Sequence, residues 1–403
     1  MAYTGTMLAW SILEYGGVMG RDLPLAMEAL RWATDFFIKC TAKPGVVYAQ
    51  VGDPKADHNC WERPEDMDTP RTVYAVTKTK PGSEVSGEMA AAMAAASIVF
   101  ENAGDRSYSS LLRDRAEKVF RFADAHRGSY NDSIGYGVCP FYCDYNSYQD
   151  ELVWAATWLN KATKNSMYWN YIVKNFGDFK PNYERLLLQF GWDAKHGGID
   201  IILSQYMMEN HLVNSSAPNF VGYADAFICN IMPQSPFRYA HISPGGLLVS
   251  LQVTAAHSFV LVTYALYVKK TNHVIRCGNV VIPPDSLIQF ANTQVDYILG
   301  NNPLKISYMV GYGKNYPQHI HHRGSSLPSI RSHPKPIRCK DGTPFYQSPK
   351  PNPNRLTGAV VGGPDENDKF EDSRQDPGKL EPTTYINAPL VGLLAFFKGL
   401  NRQ

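Results

Sequence analysis

The chain has 403 residues, 44% hydrophobic and 19% charged, which excludes a disordered polyelectrolyte and fits a sizeable folded core. Thirty-nine Lys and Arg against 37 Asp and Glu leave a formal charge of +2, so no bulk field draws nucleic acid or an anionic membrane. The seven cysteines, at 40, 60, 139, 143, 229, 277 and 339, are odd in number and scattered, which excludes a dense disulfide scaffold.

The opening stretch MAYTGTMLAWSILEYGGVMG lacks the early basic residues of a secretory leader. Its apolar positions return every three or four residues, which predicts a helix over 3–15 stopped by Gly16 and Gly17. A second helix is expected over 24–39, opened by Pro24, with Leu30, Ala33, Phe36 and Phe37 turned inward. From 41 to 83 the chain carries eight prolines or glycines and the polar run DHNCWERPEDMDTPR, too long for a plain connection and therefore suspected of function. Helical patterns follow over 84–100, 107–125, 148–163, 195–209, 219–230, 249–269, 284–299 and 389–399, the first with an alanine run that permits close helix contact. Strand-like alternation is short, as in SYMVGYG at 307–313. Eleven prolines between 313 and 383 forbid a continuous helix there. No stretch has 18 uninterrupted apolar residues, so no transmembrane span is expected. The reading is all-α, one domain over 1–403, with long loops gathered at one end of stacked helix pairs.

Three sets of residues could carry chemistry. In an extended stretch His319, His321 and Arg323 share one face, which suits a metal, an anion or a polyhydroxylated ligand, and equally suits plain structural histidines. His58, Trp61, Tyr148, Trp154 and Trp192 stand beside polar residues, either as core rings or as flat faces that stack on sugars. Asp372 and Glu381 are either solvated acids or part of a glycosidase pair, one carboxyl protonating the leaving oxygen while another activates water. The acid must be held protonated by burial or like charge. Glu381, followed by Pro382 and a docked helix, is the better placed for burial, and Asp372, two residues before Arg374, for orienting a neighbour. Cys139 and Cys143 lack a second pair at zinc spacing and read as buried thiols or a local disulfide.

The ordered motifs MAYTGTMLAWSILEYGG, ADHNCWERPEDMDTPRTVY, YQDELVWAATWLNKATKN, PGGLL, DYILGNNPLKISYMVGYGKNYPQHIHHRGSS, AVVGGPDENDKFEDSR and EPTTYINAPLVG resemble the plant endo-β-1,4-glucanases of glycoside hydrolase family 9. The resemblance spans residues 1 to about 392. It implies an (α/α)6 barrel with a cleft across the loops at one end, hydrolysis of internal β-1,4-glucosidic bonds with inversion, cellulose or another β-1,4-glucan as partner, a monomer and an extracellular or cell-wall setting. It implies no required cofactor, and leaves calcium open. Residue by residue, it makes Glu381 the proton donor, His321 and Arg323 the grip on the sugar near the cleavage point, and Asp372 a supporting active-site aspartate. His58, Trp61, Tyr148, Trp154 and Trp192 become subsite lining. Three departures stand out. The family's DAGD segment, whose aspartates handle the attacking water, precedes the helix that begins here at MAYTG. Pro377 stands where an aromatic is usual, and Ile242 where a tyrosine is usual. The expectations are an inner helical flank left open, little turnover by this chain and, as the alternative, glucan binding without hydrolysis. Asn131 and Asn214 begin glycosylation sequons.

Overall fold

The computed structural model describes residues 1–179, 190–212 and 217–400. In chain order its helices are α1 (Ala2–Met19), α2 (Leu23–Cys40), α3 (Pro54–His58), α4 (Ser83–Asn102), α5 (Arg106–Ala125), α6 (Tyr130–Val138), α7 (Gln149–Thr163) and α8 (Ser166–Phe179). Then come α9 (His196–Glu209), α10 (Phe220–Ile231), α11 (Leu251–Thr271), α12 (Pro284–Ile298), the single turns α13 (Arg323–Ser326), α14 (Thr343–Tyr346) and α15 (Pro377–Leu380), and α16 (Thr384–Leu400). Two short antiparallel ribbons complete the set: β1 (Val46–Val51) with β2 (Val73–Thr77), and β3 (Ile275–Cys277) with β4 (Val280–Ile282).

Six helices form an inner ring. α1 touches α4, α4 touches α7, α7 touches α9, α9 touches α11, α11 touches α16, and α16 returns to α1. A helix that is apolar all round has to be buried on all sides, and Ala90 to Ala96 of α4 and Phe259 to Val262 of α11 show no exposed surface. The amphipathic helices α2, α5, α8, α10 and α12 back the ring, each against the inner helix before it. Six inner and five backing helices among the described residues follow the (α/α)6 arrangement. The inner flank expected to stand open is closed, because α16 lies along α1 and Ser11 Oγ donates to the Ala388 carbonyl at 3.1 Å. α11 is long and apolar enough to cross a membrane, but 83% of its apolar window is buried among its neighbours, as an inner-ring position demands.

Several local readings change. α1 continues through Gly16 and Gly17 and ends at Gly20, whose φ of 59° is open to glycine, because Tyr15 and Met19 are anchored in the core. Phe36, expected inward, is 51% exposed. α16 begins at Thr384 rather than Pro389, since so early in a helix the proline displaces little beyond the bond to the Tyr385 carbonyl. SYMVGYG makes only a bridge from Met309 to Val360, because Gly311 and Gly313 turn to positive φ. The loop from 41 to 83 holds the β1–β2 ribbon, and α6 and α8 were not anticipated. Trp154 is fully buried among Trp10, Trp158 and Phe190. It is a core ring and not a sugar platform, which corrects its expected place in the subsite lining.

Disulfides join Cys60 to Cys339, Cys139 to Cys143 and Cys229 to Cys277, leaving Cys40 as a buried thiol. Gly87 of α4 lies close against α7, where an added Cβ would sit 2.8 Å from the Glu151 carbonyl. Gly87→Val is expected to lower stability by about 1–3 kcal/mol through overpacking. Urea unfolding followed by circular dichroism checks this, and a wild-type midpoint would contradict it.

Candidate active site

The loops above the ring have few ladder bonds, so their carbonyls need other donors. Two buried guanidinium groups supply them. Arg63 donates to the Pro328, His333 and Lys335 carbonyls at 2.8–3.2 Å and to Asp66 at 2.6 Å. Arg374 donates to the Phe345, Tyr346, Ser348 and Lys350 carbonyls at 2.9–3.1 Å and to Asn352 Oδ1. With the Cys60–Cys339 bridge they tie the 54–69 and 313–383 segments into one face.

On that face Asp53 caps α3, its Oδ1 accepting from Lys55 N and Ala56 N, and Pro54 fills the first helical position. The helix thereby presents Asp57, whose carboxylate takes both arms of Arg323 at 2.7 and 3.0 Å. Trp61 lies beside them, its Nε1 donating to Ser326 Oγ at 3.0 Å, with the Arg323 guanidinium 5.8 Å from its ring centre. His321 meets Trp61 edge-on at 4.9 Å, and Tyr346 packs on the same indole at 4.8 Å. The Arg374 carbonyl, 2.7 Å from His321 Nδ1, only accepts, so Nδ1 carries a proton. Asp372 accepts from Gln318 N, His319 N and His319 Nδ1 at 2.7–3.0 Å. It therefore fixes the histidine loop, and the side chain it bonds is His319 rather than Arg374.

Beside this cluster opens a cavity of about 1150 Å³. Its wall includes Glu381, His58, Tyr142, Trp192, Glu84 and Glu88. Asp376 caps α15 by accepting from Lys379 N, Pro377 fills the first position of that turn, and Glu381 follows directly, its N–H bonded to the Pro377 carbonyl at 3.0 Å. The departure at Pro377 thus serves the turn that delivers the acid. The His321 N–H donates to the Leu380 carbonyl at 2.9 Å, which joins the cavity to the Trp61 cluster. Glu381 is exposed to the cavity rather than buried, contrary to expectation, because the one-turn helix ends before it. Burial, Tyr385 and Glu381 together push the neighbouring Tyr142 phenol up to about 12. His58 lines the wall with one face stacked on Phe141 and Nδ1 bonded to the Pro54 carbonyl. Trp192 is half-exposed and edge-on to Tyr142. Tyr148 sits at the N-cap of α7, half-buried and outside the cavity wall. The structure thus brings Trp61, His321 and Arg323 together, places His58, Trp192 and Glu381 on one wall, and leaves Tyr148 and Trp154 out. Asp57, Tyr142 and Tyr346 were not singled out from sequence, although Asp57 stands within the ADHNCW motif.

Residues 1–394 match the family model described as glycosyl hydrolase family 9. The chain belongs to that family. It is 52% identical over 403 residues to Endoglucanase 1 of Arabidopsis thaliana, covering 98% of this chain and 79% of that protein. It is 50% identical over 407 residues to Endoglucanase 23 of Oryza sativa subsp. japonica, covering 99% and 78%. Among solved structures it is similar to the endoglucanase of the termite Nasutitermes takasagoensis, with a TM-score of 0.83 at 35% identity, covering 100% of this chain and 85% of that one. It is also similar to endoglucanase CelQ of Clostridium thermocellum in complex with cellotetraose, with a TM-score of 0.78 at 29% identity, covering 99% and 61%. Family 9 membership places the cavity and its exposed carboxyl in a glycoside hydrolase.

One wall acid titrates far from its ordinary range. Burial pushes Glu84 from 4.5 up to about 8, and the Asp144 charge adds to this against the bonds donated by Ser129 Oγ and Tyr130 N at 2.7 and 2.6 Å. The folded protein therefore holds a proton there that the unfolded chain releases, so this group's contribution to stability is full below pH 4.5 and is lost as pH rises through about 8. Replacing Glu84 by Gln is expected to flatten that part of the decline. Denaturant midpoints of both proteins from pH 4 to 9 check it, and parallel curves would contradict it.

Proposed function

We propose that this family 9 protein hydrolyses internal β-1,4-glucosidic bonds of cellulose or a related glucan, with Glu381 as proton donor. The observation that carries the reading is the position of the Glu381 carboxyl on a cavity of about 1150 Å³ that Trp192, Tyr142 and His58 also line, where a bound sugar would supply the burial that an acid's proton needs. The endoglucanase relatives and the CelQ complex with cellotetraose support the substrate class. His321 and Arg323, beside Trp61, grip the sugar next to the cleavage point, Trp192 stacks on a sugar face, and Asp372 holds the histidine loop.

Inversion requires a second carboxylate across the sugar, about 6.5–9.5 Å from the acid, with water between. Of the other cavity acids among the described residues, Glu84 accepts from Ser129 and Tyr130, Asp144 from Asn146 N, Glu151 from Lys195, and Asp193 from Tyr145 and Asn146. Burial pushes Glu88 toward its protonated form. Turnover by these 403 residues is accordingly slow, since general-base help contributes about 10²- to 10⁴-fold. The three disulfides favour an oxidising, extracellular setting. The Asn131 amide is occupied, donating to the Asp144 carbonyl at 2.7 Å and accepting from Asp144 N at 3.0 Å, so a glycan on Nδ2 would compete with the first of these bonds. Asn214 lies outside the described residues.

The test is release of reducing ends from carboxymethylcellulose by the chain and by Glu381→Gln, both first shown folded by circular dichroism. Slow release that falls about 10²-fold or more in the variant is expected. Equal release by both would overturn the role of Glu381. Saturable cellotetraose binding with no release by the unaltered chain would replace hydrolysis by glucan binding.

A further inference from the structure

Beneath the Trp192 wall lies a buried cation that the reading above does not use. The Lys195 side chain has no exposed surface, and an ammonium so placed needs close partners. Its Nζ donates to Glu151 Oε1 at 2.9 Å and to the Trp192 carbonyl at 2.5 Å, with Glu88 at 3.6 Å and the Tyr3 ring centre at 5.6 Å. Burial acts to lower the pKa of this ammonium while Glu151, Glu88 and Asp150 raise it, with the net shift upward, and burial in turn raises those three carboxyls. The turn around it is fixed at every corner. Lys195 N donates to Asp150 Oδ2 at 2.8 Å, Gly191 N donates to the Ala194 carbonyl at 2.8 Å, and Asp193 accepts from Tyr145 N at 3.1 Å and Asn146 Nδ2 at 2.7 Å. At the apex the Trp192 ring is left half-exposed on the cavity wall, edge-on to Tyr142 at 5.2 Å.

We infer that Lys195 is a positioning residue, whose ammonium, locked by Glu151, clamps the Trp192 carbonyl and sets the indole in advance as a sugar-stacking platform. The platform role rests on the glucan reading proposed above. No proton moves and nothing reaches the substrate from Lys195. A ring fixed before binding spares the ordering that a mobile ring would undergo when sugar arrives. The charge matters because Glu151 and the carbonyl draw on the same nitrogen from α7 and from the turn, and an apolar side chain of the same length would fill the space without holding either.

The experiment separates clamping from folding. Removing Lys195 alone would strand Glu151, so the variant of choice is Lys195→Met with Glu151→Gln, a neutral pair of similar volume in which Glu88, already pushed toward its protonated form by burial, also loses its contact at 3.6 Å. Glu151→Gln alone, which keeps the lysine and removes its lock, is the milder companion. Both are prepared with 5-fluorotryptophan, and the Trp192 fluorine resonance is assigned by its loss in Trp192→Phe. Without sugar, the wild-type line is expected to be single and narrow, broadened or split in the paired variant, and moved the same way by Glu151→Gln. Cellotetraose binding by calorimetry is expected to weaken about three- to tenfold in the paired variant, and to lose nothing further when the pair is placed in a Trp192→Ala background. An unchanged Trp192 line in the folded variants would overturn the clamp. Unaltered protein that binds no cellotetraose would overturn the platform role, and it is told apart because the line is read without sugar.

Discussion

A long loop brought over a helical core carries carbonyls that no ladder satisfies, and here two buried guanidinium groups meet that demand. Arg63 and Arg374 between them bond seven backbone carbonyls drawn from residues 328 to 350. A guanidinium suits this work because its five donors spread in a rigid plane, so that one side chain fixes several strands of coil at once. Without those donors each carbonyl would be left to water, and the loops that hold Trp61, His321 and Arg323 would lack a common frame.

The frame and the barrel meet at α15. The closed inner ring fixes where α16 begins, and the loop delivers a single helical turn directly before it, held by the His321 N–H on the Leu380 carbonyl and by the Gly363 N–H on the Lys379 carbonyl. Glu381 stands at that junction. Its placement is therefore shared between the two halves of the molecule: the ring sets its height above the core, and the arginine-bound loops set its lateral position beside the histidine and tryptophan. Elsewhere on the same cavity lining the Trp192 turn is fixed in the same manner by a buried lysine. In both places a cation hidden from solvent orders the chain segment that carries a side chain of the cavity wall.

Much of the helical frame was legible in the sequence because the periodicity is strong. The alanine-rich stretch of α4 and the apolar run of α11 fall within a few residues of their expected bounds. Elements failed where local and tertiary signals disagreed. Gly16 and Gly17 read as a stop, but the anchored Tyr15 and Met19 carry α1 past them. Phe36 has the period of an inward residue and yet faces the cavity, since period alone does not say which neighbour is absent from one side. The same ambiguity misled the reading of Trp154, whose spacing beside polar residues is shared by core and cleft tryptophans. Of the site, the motif residues of the histidine loop and Glu381 could be named from sequence. The Asp57–Arg323 pair and the Lys195 network could not, because their partners are separated by 266 and 44 positions and no local pattern links them.

Buried cations, and not the barrel alone, order the loop face above the ring. Amide hydrogen exchange in Arg374→Met, read segment by segment against the unaltered chain, tests it most directly. The account predicts exchange faster by about tenfold or more across residues 343–352 and the histidine loop 316–323, with the inner helices α4, α7 and α11 unchanged. Unchanged protection in those loops, or loss of protection that begins in the inner ring, would contradict it.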